Sequence, residues 1–262
     1  MRPILALLLL ATWLGAQEPP AKPAMAAPEP QLQRPAQERG LVAVIAYNGA
    51  VNERDILTQA VPQLLRFIQT STDLTAPLTW ARMPLYDPRV ADAVMVYLTG
   101  CDGQMRLDEA ERRGLGDFIR GGGLVYTEEV YASVSGQTPL AASGIAGTPF
   151  DRQIKALLRD PLVLGGQGEL WQRLPKKHPL YSAYFSLLDG PPLVGVGNGN
   201  ARSLEGLEYR GRLAVIFSDL NLSYYWATPD AEGRDSSMRL GTNAVVLGLT
   251  YRMAGLPLPT RR

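Results

Sequence analysis

Residues 93–129 constrain the fold of this chain more than any other stretch. They run through an apolar segment (93–98), a glycine-containing loop (99–103), a segment with helical spacing of apolar residues (107–120), three glycines (121–123) and a second apolar segment (124–126). This order predicts a strand, a helix and a second strand in a buried parallel βαβ unit. Glu128 and Glu129 follow the second apolar segment, at the position where α/β proteins hold their ligands.

The remaining apolar patterns extend this unit into an α/β sheet. Strands are predicted at 41–47, 78–83, 192–196 and 213–217, and helices at 57–68, 107–120, 150–159 and 236–254. Asp108 and Glu111 form a capping-box pattern at the second helix, which Gly121 ends. Pro62 either kinks the first helix or lies in its first turn, and Asp235 is predicted to cap the last one. Strands that alternate with helices predict a mainly parallel sheet in one domain, residues 39–262.

The first 38 residues are predicted to lie outside this domain. Residues 1–16 have a basic residue, an apolar run and small residues before a cleavage point, which is typical of a signal peptide. The run is shorter than the roughly 20 residues of a membrane span, although an uncleaved anchor is the alternative. Residues 17–38 contain six prolines and indicate a disordered linker, either a passive spacer or a tether. Since no cysteine follows the apolar run, we expect a periplasmic or secreted protein without a lipid anchor.

The composition excludes several classes of function. The formal charge of +1 and the scattered basic residues do not indicate nucleic-acid binding. A single cysteine, Cys101, excludes an intrachain disulfide and a thiolate metal cluster. A single histidine, His178, excludes a two-histidine zinc site. The sequence contains no G-x-S-x-G, P-loop or H-E-x-x-H motif.

Four segments in fixed order carry a family resemblance. They are VMVYLTG (94–100), GGGLVYTEE (121–129), LPKKHPLY (174–181) and YRGRLAVIFSDLN (209–221), with a weaker fifth, NAVVLGLTYRMAG, at 243–255. Together they resemble a bacterial family of unknown function, the DUF4159 family, over residues 41–255. The resemblance implies a flavodoxin-like three-layer fold, similar to that of class I glutamine amidotransferases. At the turn most similar to the amidotransferase nucleophile elbow, this chain has Thr127, Glu128 and Glu129, so the resemblance implies that fold without its nucleophile.

Polar residues at the predicted strand ends are the candidate ligand-binding residues, because parallel strands end at one edge of a sheet. They are Tyr47, Asn48, Asp102, Glu128, Glu129, Asp219 and Asn221. Their oxygen atoms suit a polyhydroxyl ligand such as a glycan, or a hard divalent cation, although no cofactor is evident. The alternative is that Glu128 and Glu129 cap the next helical turn.

The candidate catalytic residues are Glu128, Glu129 and His178. His178 lies in an exposed turn and either folds back over the strand ends as an acid, base or ligand, or orders its loop through a backbone hydrogen bond. Aromatic residues at 181–185 and 224–226 are interpreted as the rim of a cleft, or alternatively as a seal on the core.

Three functions remain open on these grounds. The sequence favours an exported, non-catalytic module of the bacterial cell envelope that binds a ligand or takes part in assembly. The first alternative is a hydrolase of a glycan or another envelope substrate, with a carboxylate, His178 and possible help from a metal. The second is a protein–protein scaffold with a vestigial cleft. The expected partners are an envelope protein or a glycan-type ligand, with no nucleic acid and no membrane span after signal cleavage.

Overall fold

The computed structural model describes residues 40–47, 55–100, 105–130, 149–194 and 203–253. The predicted signal peptide and linker lie outside these ranges, as do Asn48, Cys101 and Asp102. The strands are β1 (Leu41–Ile45), β2 (Thr79–Met83), β3 (Met95–Gly100), β4 (Leu124–Glu129), β5 (Trp171–Arg173), β6 (Glu205–Tyr209) and β7 (Arg212–Ser218). The α-helices are α1 (Ala60–Ser71), α2 (Glu109–Arg120), α3 (Pro149–Arg159), α4 (Leu222–Ala227) and α5 (Arg234–Met253).

The described strands form one seven-stranded sheet in the order β2-β1-β3-β4-β7-β6-β5. Strands β2, β1, β3, β4 and β7 are parallel, whereas β6 is antiparallel to both of its neighbours. The chain direction across the sheet reverses between β1 and β3, which places a switch point there. The fold is therefore α/β with a mainly parallel sheet, as the sequence predicted.

Helices cover both faces of the sheet. One hydrophobic core contains Leu64 of α1, Trp226 of α4 and Ala244 of α5, and we call this side the α5 face. The other core contains Phe118 of α2 and Ile154 of α3, and we call it the α3 face. Because side chains alternate along a strand, each strand residue belongs to one face or the other. The result is the expected three-layer arrangement.

The central βαβ unit is confirmed, with its first strand shifted by two residues, from 93–98 to 95–100, and its second strand longer than the sequence indicated. The side chain of Asp108 accepts the backbone N–H of Glu111, whose side chain accepts the backbone N–H of Asp108, so the capping box is present. Strand β4 continues to Glu129 instead of ending at residue 126, and all six of its residues are buried. The two glutamates therefore belong to the sheet and not to a loop beyond it. Pro62 lies in the first turn of α1, one of the two predicted outcomes.

Three other predictions differ from the structure. Residues 192–194 form no strand, and 195–196 lie outside the described residues. The sheet instead gains β5 and β6, which the sequence analysis missed because β5 has three residues and β6 alternates polar with apolar ones. Asp235 does not cap α5, because the helix already begins at Arg234; its carboxylate instead lies 2.7 Å from Arg239.

Among the described residues, no helix combines the length and apolar character that a membrane crossing requires.

Close packing between α5 and the sheet depends on Gly248. A Cβ atom at this position would lie 2.3 Å from the backbone oxygen of Val94, which is too close for any real contact. We expect Gly248→Ala to lower the free energy of unfolding by about 1–3 kcal/mol, since the helix must move away from the sheet. Gly166→Ala is the control, because nothing lies within 4 Å of its added Cβ. Urea unfolding measures both variants, and equal stability of the two would contradict this packing.

Candidate functional site

The two adjacent glutamates at the end of β4 point to opposite faces of the sheet. Tyr126 lies in the core of the α5 face and Val125 in that of the α3 face. Because successive side chains of a strand point to opposite faces, Glu128 lies on the same face as Tyr126, and Glu129 lies on the same face as Val125. The two carboxylates, both candidate ligand residues at the same edge of the sheet, are therefore divided between the two layers.

Glu128 is fully buried and caps helix α4 from a distant strand. Its Oε1 accepts hydrogen bonds from Ser218 Oγ at 2.6 Å and from the backbone N–H of Leu222 at 2.7 Å. Its Oε2 accepts from the backbone N–H of Ser223 at 2.7 Å and from the hydroxyl of the same serine. Burial raises the pKa of Glu128, while these hydrogen bonds act in the opposite direction. The hydroxyl of Tyr126 also donates to Oε1, at 3.4 Å. Five donors therefore surround the two oxygens, so this group is committed to holding α4 on the sheet.

The acidic residues on the α3 face form a separate group around Asp219. We call Glu129, Asp151, Glu205 and Asp219 the acidic cluster. Asp219 follows β7 directly and is 5% exposed. Burial raises its pKa to about 7; a hydrogen bond from its own backbone N–H opposes this, and the charges of Glu129, Glu205 and Asp151 add to the increase. Asp219 can thus hold or release a proton near neutral pH.

Lys155 links the acidic cluster to the surface. Its Nζ lies 2.7 Å from Asp151 Oδ1, one turn earlier on α3, and 2.5 Å from Glu205 Oε2 at the start of β6. Burial disfavours the charge of Lys155, but the bonds to these two carboxylates outweigh it and raise the lysine pKa. The ammonium group also lies 5.6 Å from the centre of the Trp171 ring. A single ammonium group therefore pairs with two of the four carboxyl groups in the cluster.

A cleft of about 490 Å³ opens beside Lys155. The residues at its wall come from α3, the turn at 165–169 and strands β5 and β6, and they include Lys155, Arg159, Glu169, Trp171, Arg173 and Glu205. The ring of Trp171 meets Phe217 edge-on, with their centres 6.5 Å apart. The cleft thus combines an aromatic wall with groups of both charges, and Glu205 at its wall is one of the charges that raise the pKa of Asp219.

The other predicted ligand residues lie in different places. The hydroxyl of Tyr47, after β1, donates to the backbone oxygen of Thr99 in β3, so this side chain spans the switch point. Asn221 is buried and precedes α4 with a left-handed backbone, φ 55° and ψ 36°. Asn48 and Asp102 lie outside the described residues. The structure therefore groups Glu129 with Asp219 and separates both from Glu128.

His178 orders its own loop, the second of its two predicted roles. Its Nδ1 accepts the backbone N–H of Leu180 at 3.1 Å and caps the short turn Pro179–Ser182. Burial lowers the pKa of His178, and the charge of Glu208 opposes this effect. Glu208 pairs with Leu213 near the start of β7, whereas the acidic cluster lies at the other end of that strand. The described geometry does not bring His178 to Glu128 or Glu129.

Two of the three aromatic residues of α4, Tyr225 and Trp226, are buried in the protein, as the alternative of a seal on the core predicted. Trp226 is fully buried, and its indole N–H donates to the backbone oxygen of Ser237 at 2.9 Å. The hydroxyl of Tyr225 donates to the backbone oxygen of Val194. The aromatic wall of the cleft is Trp171 instead, which sequence reasoning missed together with Asp151, Lys155 and Glu205. The four-residue spacing of Asp151 and Lys155 on a predicted helix was the available signal.

Within the described ranges, no group of three or more histidine, cysteine, aspartate or glutamate residues is arranged to hold a metal ion. The hard divalent cation considered from the sequence stays a prediction.

Fold and site together define a three-layer α/β domain with carboxyl groups at the ends of its parallel strands and no cofactor motif in its sequence. The sequence model of a family described as "Domain of unknown function (DUF4159)" matches residues 41–249, which include all seven strands. The chain belongs to this family. No curated protein matches the chain significantly.

The structural role of Glu128 predicts a large loss of stability on substitution. Glu128→Gln keeps one acceptor oxygen and turns an amide NH₂ toward two protein donors. We expect the free energy of unfolding to fall by about 2–4 kcal/mol, the range for disrupting a buried, fully bonded charge. Denaturant unfolding checks this, with Glu109→Gln as the control. Glu109 pairs with Arg113 on the surface, so its loss should change stability by less than about 1 kcal/mol. Equal losses of stability in Glu128→Gln and Glu109→Gln would contradict the structural role of Glu128.

The raised pKa of Asp219 predicts a pH dependence of stability. Between about pH 4 and 7 the native state keeps a proton that the unfolded chain has released, so the free energy of unfolding falls as pH rises through this range. Asp219→Asn removes this contribution. We expect the variant to be more stable than the natural protein by about 1–3 kcal/mol at pH 8, and the difference to shrink toward pH 4.

Thermal unfolding of both proteins across this pH range measures the difference directly. A difference that stays constant from pH 4 to 8 would show that Asp219 titrates alike in the native and unfolded states.

Proposed function

We propose that this domain is a ligand-binding module of the bacterial cell envelope and that its ligand is a glycan-type molecule in the cleft beside Lys155. The observation that carries this proposal is the position of Trp171, an aromatic wall next to groups that donate and accept hydrogen bonds. Sugars present an apolar face that packs on such a ring and hydroxyl groups that bond to charged side chains. The envelope location rests on the signal-peptide pattern of residues 1–16.

The cleft is formed by parts that are held in place before any ligand binds. The turn at 165–169 packs tightly on α3, since a Cβ atom on Gly168 would lie 2.1 Å from the backbone oxygen of Leu158. Trp171 is fixed between Phe217 and the ammonium group of Lys155. A preformed cleft favours binding because little conformational freedom is lost when the ligand enters.

A second candidate function is hydrolysis with Asp219 as the proton-transferring group. A buried carboxyl group that titrates near neutral pH, at the carboxyl ends of parallel strands, suits general acid–base catalysis. This candidate replaces Glu128 and His178, whose contacts serve the fold, as the acid–base pair. The binding module remains the first proposal, since Asp219 is not among the described residues that line the cleft and only 5% of its surface is exposed.

Binding to the cleft predicts a specific loss in Trp171→Ala. We expect this change to weaken the binding of an oligosaccharide or peptidoglycan fragment by about 10- to 100-fold, the equivalent of losing about 1–3 kcal/mol of ring contact. Isothermal titration at a temperature where the variant is fully folded measures the affinity. Trp80→Ala is the matched control, because Trp80 is 44% exposed on the opposite edge strand, β2.

The same titrations separate the three functions. Mass spectrometry of each mixture detects any cleavage, and cleavage that disappears in Asp219→Asn would establish the hydrolase. Equal affinity of the two tryptophan variants would rule out the cleft as the binding site. If none of the oligosaccharides and peptidoglycan fragments binds or is cleaved, the protein–protein scaffold remains as the function.

A further inference from the structure

We propose that the ligand of this cleft is an anionic oligosaccharide whose acidic groups are bound by Arg159 and Arg173. The inference rests on the proposed glycan-binding function and specifies its class of ligand. The observations that carry it are the positions and the pairing of the charged residues around Trp171.

The two arginines are available to a ligand. Both line the cleft, both are exposed, and neither makes an ion pair or side-chain hydrogen bond with a described residue. Two other surface arginines are already paired: Arg113 with Glu109 at 2.6 Å and Arg239 with Asp235 at 2.7 Å. Planar guanidinium groups bind carboxylate, phosphate and sulfate groups through two parallel hydrogen bonds.

Two cations at the cleft wall are not bound to any carboxylate that the structure describes. Lys155 is shared between Glu205 and Asp151 of the acidic cluster. The remaining charged groups at the wall are Arg159, Arg173 and Glu169, so an acidic ligand binds at the two arginines and not beside the acidic cluster. Glu169 is exposed, so a ligand can bind the arginines without burying this carboxylate.

Both arginines belong to the same cleft wall as Trp171. Arg173 is two residues after Trp171 on β5, so both side chains project from the same face of the strand. Arg159 ends α3, next to Leu158, whose carbonyl packs against Gly168 just before β5 begins. A sugar on Trp171 therefore has two guanidinium groups at the same wall, unpaired among the described residues, which can bind acidic groups on one sugar or on neighbouring sugars.

The experiment compares two soluble probes, a tetramer of galacturonic acid and a neutral tetramer of galactose. Isothermal titration on the full chain should give at least tenfold tighter binding of the acidic probe. The double variant Arg159→Gln/Arg173→Gln should reduce the affinity for the acidic probe by at least tenfold and leave the affinity for the neutral probe unchanged. Since both side chains are exposed, the variant should fold normally, and circular dichroism checks this.

Two further variants test the site against general electrostatics. Arg113→Gln/Arg239→Gln removes the same charge elsewhere and should leave both affinities unchanged. Glu169→Gln should strengthen binding of the acidic probe, because it removes the exposed negative charge at the wall.

Equal binding of the two probes, or an equal loss in both double variants, would overturn the inference while leaving the glycan-binding function in place. If neither tetramer binds the natural protein, the inference fails. The titrations of the natural protein and Trp171→Ala with other oligosaccharides and peptidoglycan fragments then decide whether the glycan-binding function fails as well.

Discussion

The buried carboxylate of Glu128 is the interaction on which one whole side of this domain depends. It connects β4 to two elements that lie about 90 residues further along the chain, because Glu128 is the penultimate residue of β4, Ser218 ends β7 and Leu222 begins α4. A carboxylate removed from water is tolerated only when hydrogen bonds replace its hydration, and here five donors do so. The free N–H groups at the start of a helix also favour a negative charge.

The position of α4 in turn determines the packing of the α5 face. Trp226 of α4 is fully buried, with its ring centre 5.9 Å from that of Tyr97 on β3 and 5.2 Å from that of Tyr126 on β4. Without the Glu128 cap, α4 would have no fixed attachment at its first turn, and these three rings would lose their common geometry. Glu128, a candidate catalytic residue from the sequence, therefore has a structural role.

The α3 face uses its carboxyl groups in a different way. Asp219 and Glu129 lie there with Asp151 and Glu205, and Lys155 bonds to the last two. Because burial and like charges favour the neutral form of Asp219, the group stays partly protonated near neutral pH. The raised pKa of Asp219 lowers the free energy of unfolding at high pH. Perturbed carboxyl groups of this kind are more frequent at functional sites than elsewhere in proteins.

Local pattern predicted the fold well and the site only in part. The βαβ unit, its capping box and the mainly parallel sheet follow from apolar periodicity, which short-range physics controls. The alternation of side chains along β4 could also be read from the sequence. However, the strand was predicted to end at residue 126, so Glu128 and Glu129 were not assigned to opposite faces of the sheet. The partners of Glu128 lie about 90 residues away, as do those of Asp219 on β4, and no local pattern encodes such contacts. Trp171, on a strand of three residues, had no periodicity to reveal it.

The division of the two glutamates between the faces is the central claim, and a carboxyl titration by NMR tests it most directly. Carbon-13 shifts of the Asp219 carboxyl group are followed from pH 3 to 9 in the natural protein and in Glu128→Gln and Glu129→Gln. The structure predicts a midpoint near 7 that falls in Glu129→Gln, where a neighbouring charge is removed, and changes less in Glu128→Gln. A midpoint near the ordinary value of 3.8, or a larger change in Glu128→Gln than in Glu129→Gln, would contradict the account.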